Sequence, residues 1–449
     1  MKLKGLKNFD DFYSYNRRKY GDIFYFGKLF SAGHKGPVLT VAHPDDQVAI
    51  VKKERDVEWI IAMPDTATAI HGPGNFQELS GKKHSILRKV YSAILSPNAL
   101  ESFSKEMIYI FTAFWEDVEK KDAIELTMEI KQVQLKLMSK ILFGFDLALD
   151  KDKKAFDTFA ADFLLTEKAL FAPSKNTQVF QDGLEARNRI ANVLFQRFDD
   201  IFRSVLSKGG ETTGSSAMHQ IATALIESGC TGPSSESSNG LSYNVARENL
   251  YLLLEASHGT TMYTTSLMMY FLASKENHES LEKVRQEVDS MEPSYTALKN
   301  FAFGTAIIKE TMRMAPIIGM VTYHVQEGKK LKIKDAEVNG PINLMLSSSH
   351  WYTDPDTFPE PKSFYPKRWL EGTELSVSEF AKSVFKPFGF GRHVCLGYPL
   401  ANLVLKANLY CFASKKSRRI SFDETKVKIV DDIFPMKKVS GDFPCQVMA

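Results

Sequence analysis

Four cysteines in 449 residues, Cys230, Cys395, Cys411 and Cys445, are too few and too scattered for a disulfide framework or a zinc site. That usage fits a reducing compartment or a cytosol-facing surface. No apolar run reaches the roughly 18 residues needed to span a bilayer, and the opening Met1-Lys-Leu-Lys-Gly does not lead into a signal peptide. As it stands, the chain reads as soluble. An excess of one charge is missing too: 57 basic against 54 acidic residues leave a net +3, which is not the footprint of a nucleic-acid binder. There is no internal repeat and no long low-complexity linker, so residues 1–449 read as one large domain, although the length would allow two or three. What is abundant is core material, 44% hydrophobic and 12% aromatic residues.

Helical periodicity dominates the chain. Asn8 can cap a first helix ending at Gly21, and Pro44 followed by Asp45 and Asp46 opens another. Helices are predicted over 82–92, 96–120, 123–142, 152–170, 183–207, 215–228, 275–291, 298–314 and 397–414. The longest, 243–274, would run about 45 Å and is apolar nearly all round in its middle, so it should cross the core. Strands are expected at 22–26 and 37–41 as a hairpin-like pair, at 320–324, 331–333 and 342–346, and near the end. The stretch 59–80 carries Pro64, Gly72, Pro73 and Gly74 and reads as irregular, 229–241 as a surface loop, and the proline-punctuated 355–369 as extended. The fold class is mainly α with a minor β part.

Around Cys395 the chain reads Phe388-Gly-Phe-Gly-Arg-His-Val-Cys-Leu-Gly397. A cysteine that ligates a metal is a thiolate, kept charged by shielding and hydrogen bonds. Gly389, Gly391 and Gly397 let the chain turn and bring amides toward the sulfur, and Phe388 can pack as a lid. The pattern resembles the haem-ligand loop of the cytochrome P-450 superfamily, Phe-x-x-Gly-x-(Arg or His)-x-Cys-x-Gly, through Phe388, Gly391, His393, Cys395 and Gly397. The resemblance makes Cys395 the metal ligand, holding the iron of haem b.

Further motifs follow the family's order. Glu310-x-x-Arg313 sets a carboxylate and a guanidinium on one helix face, and Pro361-x-x-Phe364-x-Pro366-x-Arg368-Trp369 resembles the segment that adds a second arginine. The resemblance implies that Glu310, Arg313 and Arg368 hold the Cys395 loop in place and do no chemistry. In the long helix, Glu255-Ala-Ser-His-Gly-Thr-Thr261 resembles the oxygen-binding pattern (Ala or Gly)-Gly-x-(Asp or Glu)-Thr-Thr through Ala256, Thr260 and Thr261. Ser257 replaces the usual glycine and Gly259 the acid that helps relay protons, leaving His258 and Glu255 as candidate substitutes. His84-x-x-x-Arg88 resembles the pair that holds haem propionates. His324 falls where many relatives have a propionate-binding arginine, Tyr323 being the alternative in a shifted register, and His393 completes the set.

What the resemblance implies is the cytochrome P-450 fold, with the long helix crossing the core over the haem. The function implied is a monooxygenase, inserting one atom of O2 into a hydrophobic small molecule such as a sterol, retinoid, terpenoid or fatty-acid-like compound. Electrons would come from a flavoprotein or iron-sulfur reductase on a basic face built by Lys82, Lys83, Lys89, Lys386, Arg392 and Lys406. The missing acid also motivates an isomerase, dehydratase or peroxygenase that needs no partner, and a non-catalytic haem sensor or carrier is the reading from another class. Segments 59–76, 163–180 and 316–323 should line the pocket. The resemblance further implies a monomer whose full-length form is anchored in the endoplasmic reticulum membrane facing the cytosol, with the apolar 169–173 loop as a second membrane contact.

Overall fold

The computed structural model of the chain describes residues 9–26, 37–53, 60–210, 214–232, 235, 241–334, 336–431 and 437–448. The expected cap Asn8, Trp59 and most of the expected loop 229–241 lie outside the described residues. In chain order the helices are α1 (Phe9–Tyr20), α2 (Pro44–Val51), α3 (Asp65–His71), α4 (Gly81–Tyr91), α5 (Pro97–Val118), α6 (Leu126–Phe143), α7 (Asp150–Leu170) and α8 (Gln178–Ser207). There follow α9 (Ala217–Glu227), α10 (Tyr243–Ala273), α11 (His278–Asp289), α12 (Tyr295–Lys299), α13 (Ala302–Met314), α14 (Ser349–Tyr352), α15 (Glu379–Val384) and α16 (Tyr398–Ala413).

The β part is small, and its main sheet has five strands: β1 (Ile23–Phe26), β2 (Val38–Val41), β3 (Ile60–Ile61), and, later in the chain, Met320–Val325 and Ile342–Ser347. β1 and β2 pair antiparallel with Ile23 opposite Val41, as the alternation predicts. β2 then runs parallel to Ile342–Ser347, which is antiparallel to Met320–Val325, and β3 closes the far edge. The sheet therefore carries the first 60 residues of the chain onto the segment following α13.

Helix α10 is the axis of the helical part. Ser242 accepts from the Asn244 amide at its start, satisfying one of the amides that a helix N-terminus leaves unpaired. Leu250, Leu254, Met262, Leu267, Met268 and Met269 are buried along it, and it packs against α6, α8, α13 and α16. Its hydroxyls are tolerated in this interior because they bond back to the preceding turn: Thr264 to Thr260 O, Thr265 to Thr261 O and Ser266 to Met262 O.

Three elements differ from the sequence expectation, the first being 355–369, which is a run of turns ending in a 3-10 turn at Pro366–Trp369 and not extended chain. The irregular stretch 59–80 contains α3, which has Asp65 in its first turn and stops at Gly72. The expected helix 298–314 is two helices, α12 and α13. The break is made by Glu287 of α11, whose carboxylate accepts from the amides of Ala302, Phe303 and Gly304 at 2.8, 3.1 and 3.1 Å. A carboxylate at these free N–H groups stabilises a new helix start. The expected membrane loop is also mostly inward: Ala169, Leu170 and Ala172 are buried, and Phe171 is exposed. No helix among the described residues is long and apolar enough to cross a membrane.

Candidate functional site

The loop before α16 turns at Gly389 and Gly391, with φ of +72° and +75°, backbone that a side chain would strain. The Cys395 amide donates to Phe388 O at 2.9 Å, closing the loop on itself. Phe388 packs edge-on against Tyr398, ring centroids 4.6 Å apart. Cys395 is accessible, yet burial is the main cause of a raised thiol pKa. The amides of Gly397 and Tyr398 and the charge of Arg88 act in the other direction and favour the thiolate.

Beside the loop lies a cluster of basic side chains. His84 of α4 is 2% exposed, and its ring meets that of His393 at 4.2 Å. Its pKa is lowered to about 3, first by burial and then by the neighbouring His393, Arg88 and Arg392. Phe76 packs against both His84 and Tyr91, and its amide donates to Asn249 of α10 at 2.9 Å. Thus α10, α4 and the cysteine loop are linked through Phe76, His84 and His393. On the sheet side it is Tyr323 whose ring approaches His393, at 6.0 Å. His324, on the opposite face of its strand, bonds Asn343 Oδ1 at 3.0 Å. Of the two candidates, Tyr323 is the one that faces the cysteine loop, and His324 faces Asn343.

In α10, Ala256 is exposed although the helix around it is enclosed, and Thr260 one turn on is partly open and donates to Ala256 O at 3.2 Å. Gly259 adjoins this open stretch, and a Cβ there would meet nothing within 4 Å. Three expected members of the oxygen-activation set lie elsewhere. His258 is fully buried, bonded through Nε2 to Lys131 O of α6 at 3.0 Å and packed on Phe163 of α7. The relay role expected of it does not fit this placement. Thr261 is buried in the helix packing. Glu255 instead turns toward α3, where its Oε2 is 3.5 Å from His71 Nε2.

Glu310, Arg313 and Arg368 come together with no exposure at all. Glu310 accepts from Arg313 Nε and a terminal nitrogen, Arg368 Nε, the Tyr365 amide and Trp369 Nε1, all at 2.9 to 3.0 Å. Arg313 also donates to Tyr352 O, and the Tyr352 hydroxyl accepts from the Lys386 amide at 2.9 Å. That path ends two residues before Phe388, so the charged core has a direct mechanical connection to the cysteine loop. Asn249, Phe76, His71 and Tyr352 carry much of this architecture and were not singled out by sequence reasoning. Asn249 had no local mark, being one polar residue in an apolar helix.

The donor set fits a haem: a glycine-framed, accessible thiol beside the half-buried guanidinium of Arg88 and the imidazoles of His84 and His393, groups that can bind carboxylates. A mainly helical fold with a glycine-framed cysteine loop set beside basic side chains defines the class, one with the donor set for a metal-bearing cofactor. The chain belongs to the cytochrome P450 family, whose model matches residues 1–414, and is thereby an oxidoreductase of the monooxygenase type, with a haem implied by the family. Cytochrome P450 26A1 of Xenopus laevis is 24% identical over 417 residues, 88% of this chain and 78% of that protein. The mitochondrial sterol 26-hydroxylase of Rattus norvegicus is 32% identical over 204 residues, 42% of this chain and 37% of its own. Among solved structures, retinoic acid bound cyanobacterial CYP120A1 has a TM-score of 0.78 at 18% identity, covering 99% of this chain and 95% of that one, a likeness of fold.

Proposed function

We propose that residues 1–449 form a single monomeric catalytic domain that holds haem b through Cys395 and transfers one oxygen atom from O2 to a hydrophobic small molecule. The substrate would be of the sterol, retinoid, terpenoid or fatty-acid-like class. Relatives named for a sterol and for bound retinoic acid support that class. When bound, the haem supplies the activation of dioxygen, and a thiolate ligand favours O–O cleavage. The chain's own residues would divide the remaining work. Gly397 and Tyr398 amides hold the sulfur charged, while His84, Arg88, His393 and Tyr323 hold the propionates. Thr260 presents a hydroxyl on the open face of α10, and the surrounding core excludes water.

Electrons would enter from a flavoprotein or iron-sulfur reductase over the exposed Lys82, Lys83 and Lys89 of α4. Lys406 does not suit that role, because its ammonium donates to Lys299 O and burial lowers its pKa. The observation that carries the reading is the Cys395 thiol, accessible in a glycine-framed loop, with two amides and Arg88 favouring its charged form. Replacing Cys395 with serine should abolish the thiolate-type band of the reduced carbon monoxide complex and all product formation. A preserved band would remove Cys395 as ligand. A second reading, a peroxygenase, is favoured by the lack of an acid at Gly259. Wild-type product made from hydrogen peroxide alone, at the rate seen with a reductase, would establish it, and haem binding without any turnover would make the chain a sensor or carrier.

Attachment to the cytosolic face of the endoplasmic reticulum is part of the same proposal. Leu164, Phe171 and Val179 support it, being exposed apolar side chains at or near the α7–α8 connection.

A further inference from the structure

We infer that Ser85 is a phosphorylation site for a basophilic serine/threonine protein kinase, and that the added phosphate lowers electron supply by cancelling the charge of α4. The second half rests on the docking face proposed above; the first half stands without it. The chain reads Lys82-Lys83-His84-Ser85-Ile86, with two cations three and two residues before a hydroxyl and an aliphatic residue after it. A kinase groove that offers carboxylates to the cations and an apolar slot behind the serine would hold this run as a short extended segment.

Patterns of this kind are common, and the fold separates the two in this chain that carry an apolar residue after the serine. In Arg418-Arg419-Ile420-Ser421-Phe422 the arginines are already taken. Arg418 is buried and pairs with Glu119, Arg419 pairs with Glu282, and Ser421 lies in a strand opposite Gln446. At Ser85 the same groups are free: Lys82, Lys83 and Ser85 are exposed, and no carboxylate among the described residues pairs with either lysine.

The first turn of α4 is also poorly fastened. Ser80 makes no side-chain bond to the helix amides, Gly81 stands at φ +57°, and no acid occupies the turn, where Lys82 and Lys83 meet the positive end of the helix. Opening it lifts His84 off His393 and Phe76, and the kinase's hold on the two lysines has to offset that contact. In the transfer, the γ-phosphorus of a nucleoside triphosphate leaves its bridging oxygen for Ser85 Oγ, the hydroxyl proton goes to the kinase's base, and the nucleoside diphosphate departs. Ser85 Oγ donates to Gly81 O at 3.0 Å before modification. Helix side chains lean toward the N-terminus, so a phosphate on Ser85 is carried back over the amides of the first turn, with Lys82 and Lys89 three and four residues away on the same face. Its charge of about −1.5 to −2 offsets at least half of that on the exposed Lys82, Lys83 and Lys89, the field an acidic reductase would follow.

The test incubates purified holoenzyme, Ser85→Ala and Ser421→Ala with a basophilic kinase and ATP, and maps phosphate by mass spectrometry. Phosphate on Ser85 is expected in the wild type and in Ser421→Ala; an unmodified Ser85 overturns the inference, whatever happens at Ser421. The phosphorylated wild type should accept its first electron from an acidic reductase about tenfold more slowly at low salt, the low end of what electrostatic steering supplies. The gap should close at high salt, and dithionite reduction should not change. Ser85→Ala should keep the unmodified rate with or without kinase. Equal rates before and after phosphorylation overturn the switch where Lys82→Glu/Lys83→Glu does slow the reaction. Where that variant is inert as well, docking at α4 is what fails, and the mapped phosphate still decides the site. A readout free of any reductase is hydrogen exchange: the amides of residues 82–84 should exchange about threefold more slowly once the phosphate is in place, as charge at a helix N-terminus provides. Unchanged exchange overturns the placement of the phosphate over the first turn.

Discussion

Glu310 has its two oxygens fully engaged by five donors inside the protein, so the chain depends on that carboxylate more than on any residue that touches substrate. Changing it to glutamine would leave Arg313 and Arg368 buried without their counter-charge. Breaking a buried pair in this way costs about 3–5 kcal/mol, and we expect little folded, haem-loaded protein, measured as the ratio of haem to protein absorbance after purification. Arg368→Lys should fail similarly, because a lysine cannot reach Glu310, Pro359 O and Glu360 O together as the guanidinium does. A second residue-scale consequence concerns acid. Burial lowers the His258 pKa to about 4 from 6.5, so between those values the unfolded chain binds the extra proton. Stability therefore rises with pH across this window and is lost as pH falls below 6.5. Urea unfolding at pH 7 and pH 5 should differ by about 2 kcal/mol from this group alone. His258→Gln, which can keep a donor toward Lys131 O, should remove that part of the difference.

At the scale of elements, the roof over the site is a strap. Asn249 of α10 accepts from the Phe76 amide and donates to Gly74 O at 3.0 Å, while Arg187 of α8 joins Ile70 O to Glu248 of α10. The end of α3 and the segment between α3 and α4 are thus tied to two helices through backbone groups. Asn249→Leu keeps the volume but leaves those groups unpaired, at a cost of roughly 1–3 kcal/mol. Hydrogen exchange should speed up over residues 72–79 while the amides of α5 and α6 keep their protection. Equal acceleration everywhere would mean global destabilisation and would count against the strap.

For the whole molecule, the near balance of charge hides a local asymmetry at α4, where Lys82, Lys83 and Lys89 are exposed on the helix that carries His84 and Arg88. An acidic reductase docking there should reduce the haem at a rate that falls steeply with salt, since screening acts beyond about 10 Å at 0.1 M. Lys82→Glu/Lys83→Glu should slow first-electron transfer at low salt and leave dithionite reduction untouched. A salt-independent rate would place the partner elsewhere. Membrane contact belongs to this scale as well. Phe171→Asp should weaken co-flotation with liposomes if the α7–α8 connection touches lipid, the loss of one buried aromatic being worth roughly 1.5–3 kcal/mol.

Local chemistry made the ligand loop, the Glu310-x-x-Arg313 pair and the long helix legible in the sequence. Each depends on residues a few positions apart: glycines that permit positive φ around a cysteine, charges one turn apart, an apolar run too long for anything but a buried helix. By itself, then, the sequence determined the family and the mainly helical class, and it singled out Cys395 as the ligand proposed above. Contacts between distant segments decided the rest. Glu287 splits the helix expected at 298–314 from fifteen residues away, and Asn249 meets Phe76 across 173 residues. Strand register, set by pairing Tyr323 with Leu344, chose Tyr323 over His324 for the loop side. The packing of α6 and α7 chose which side of α10 would bury His258, and so left Glu255 to face His71. Periodicity reports how far a residue is turned around its own helix, but which neighbour occupies that direction is a property of the assembled core.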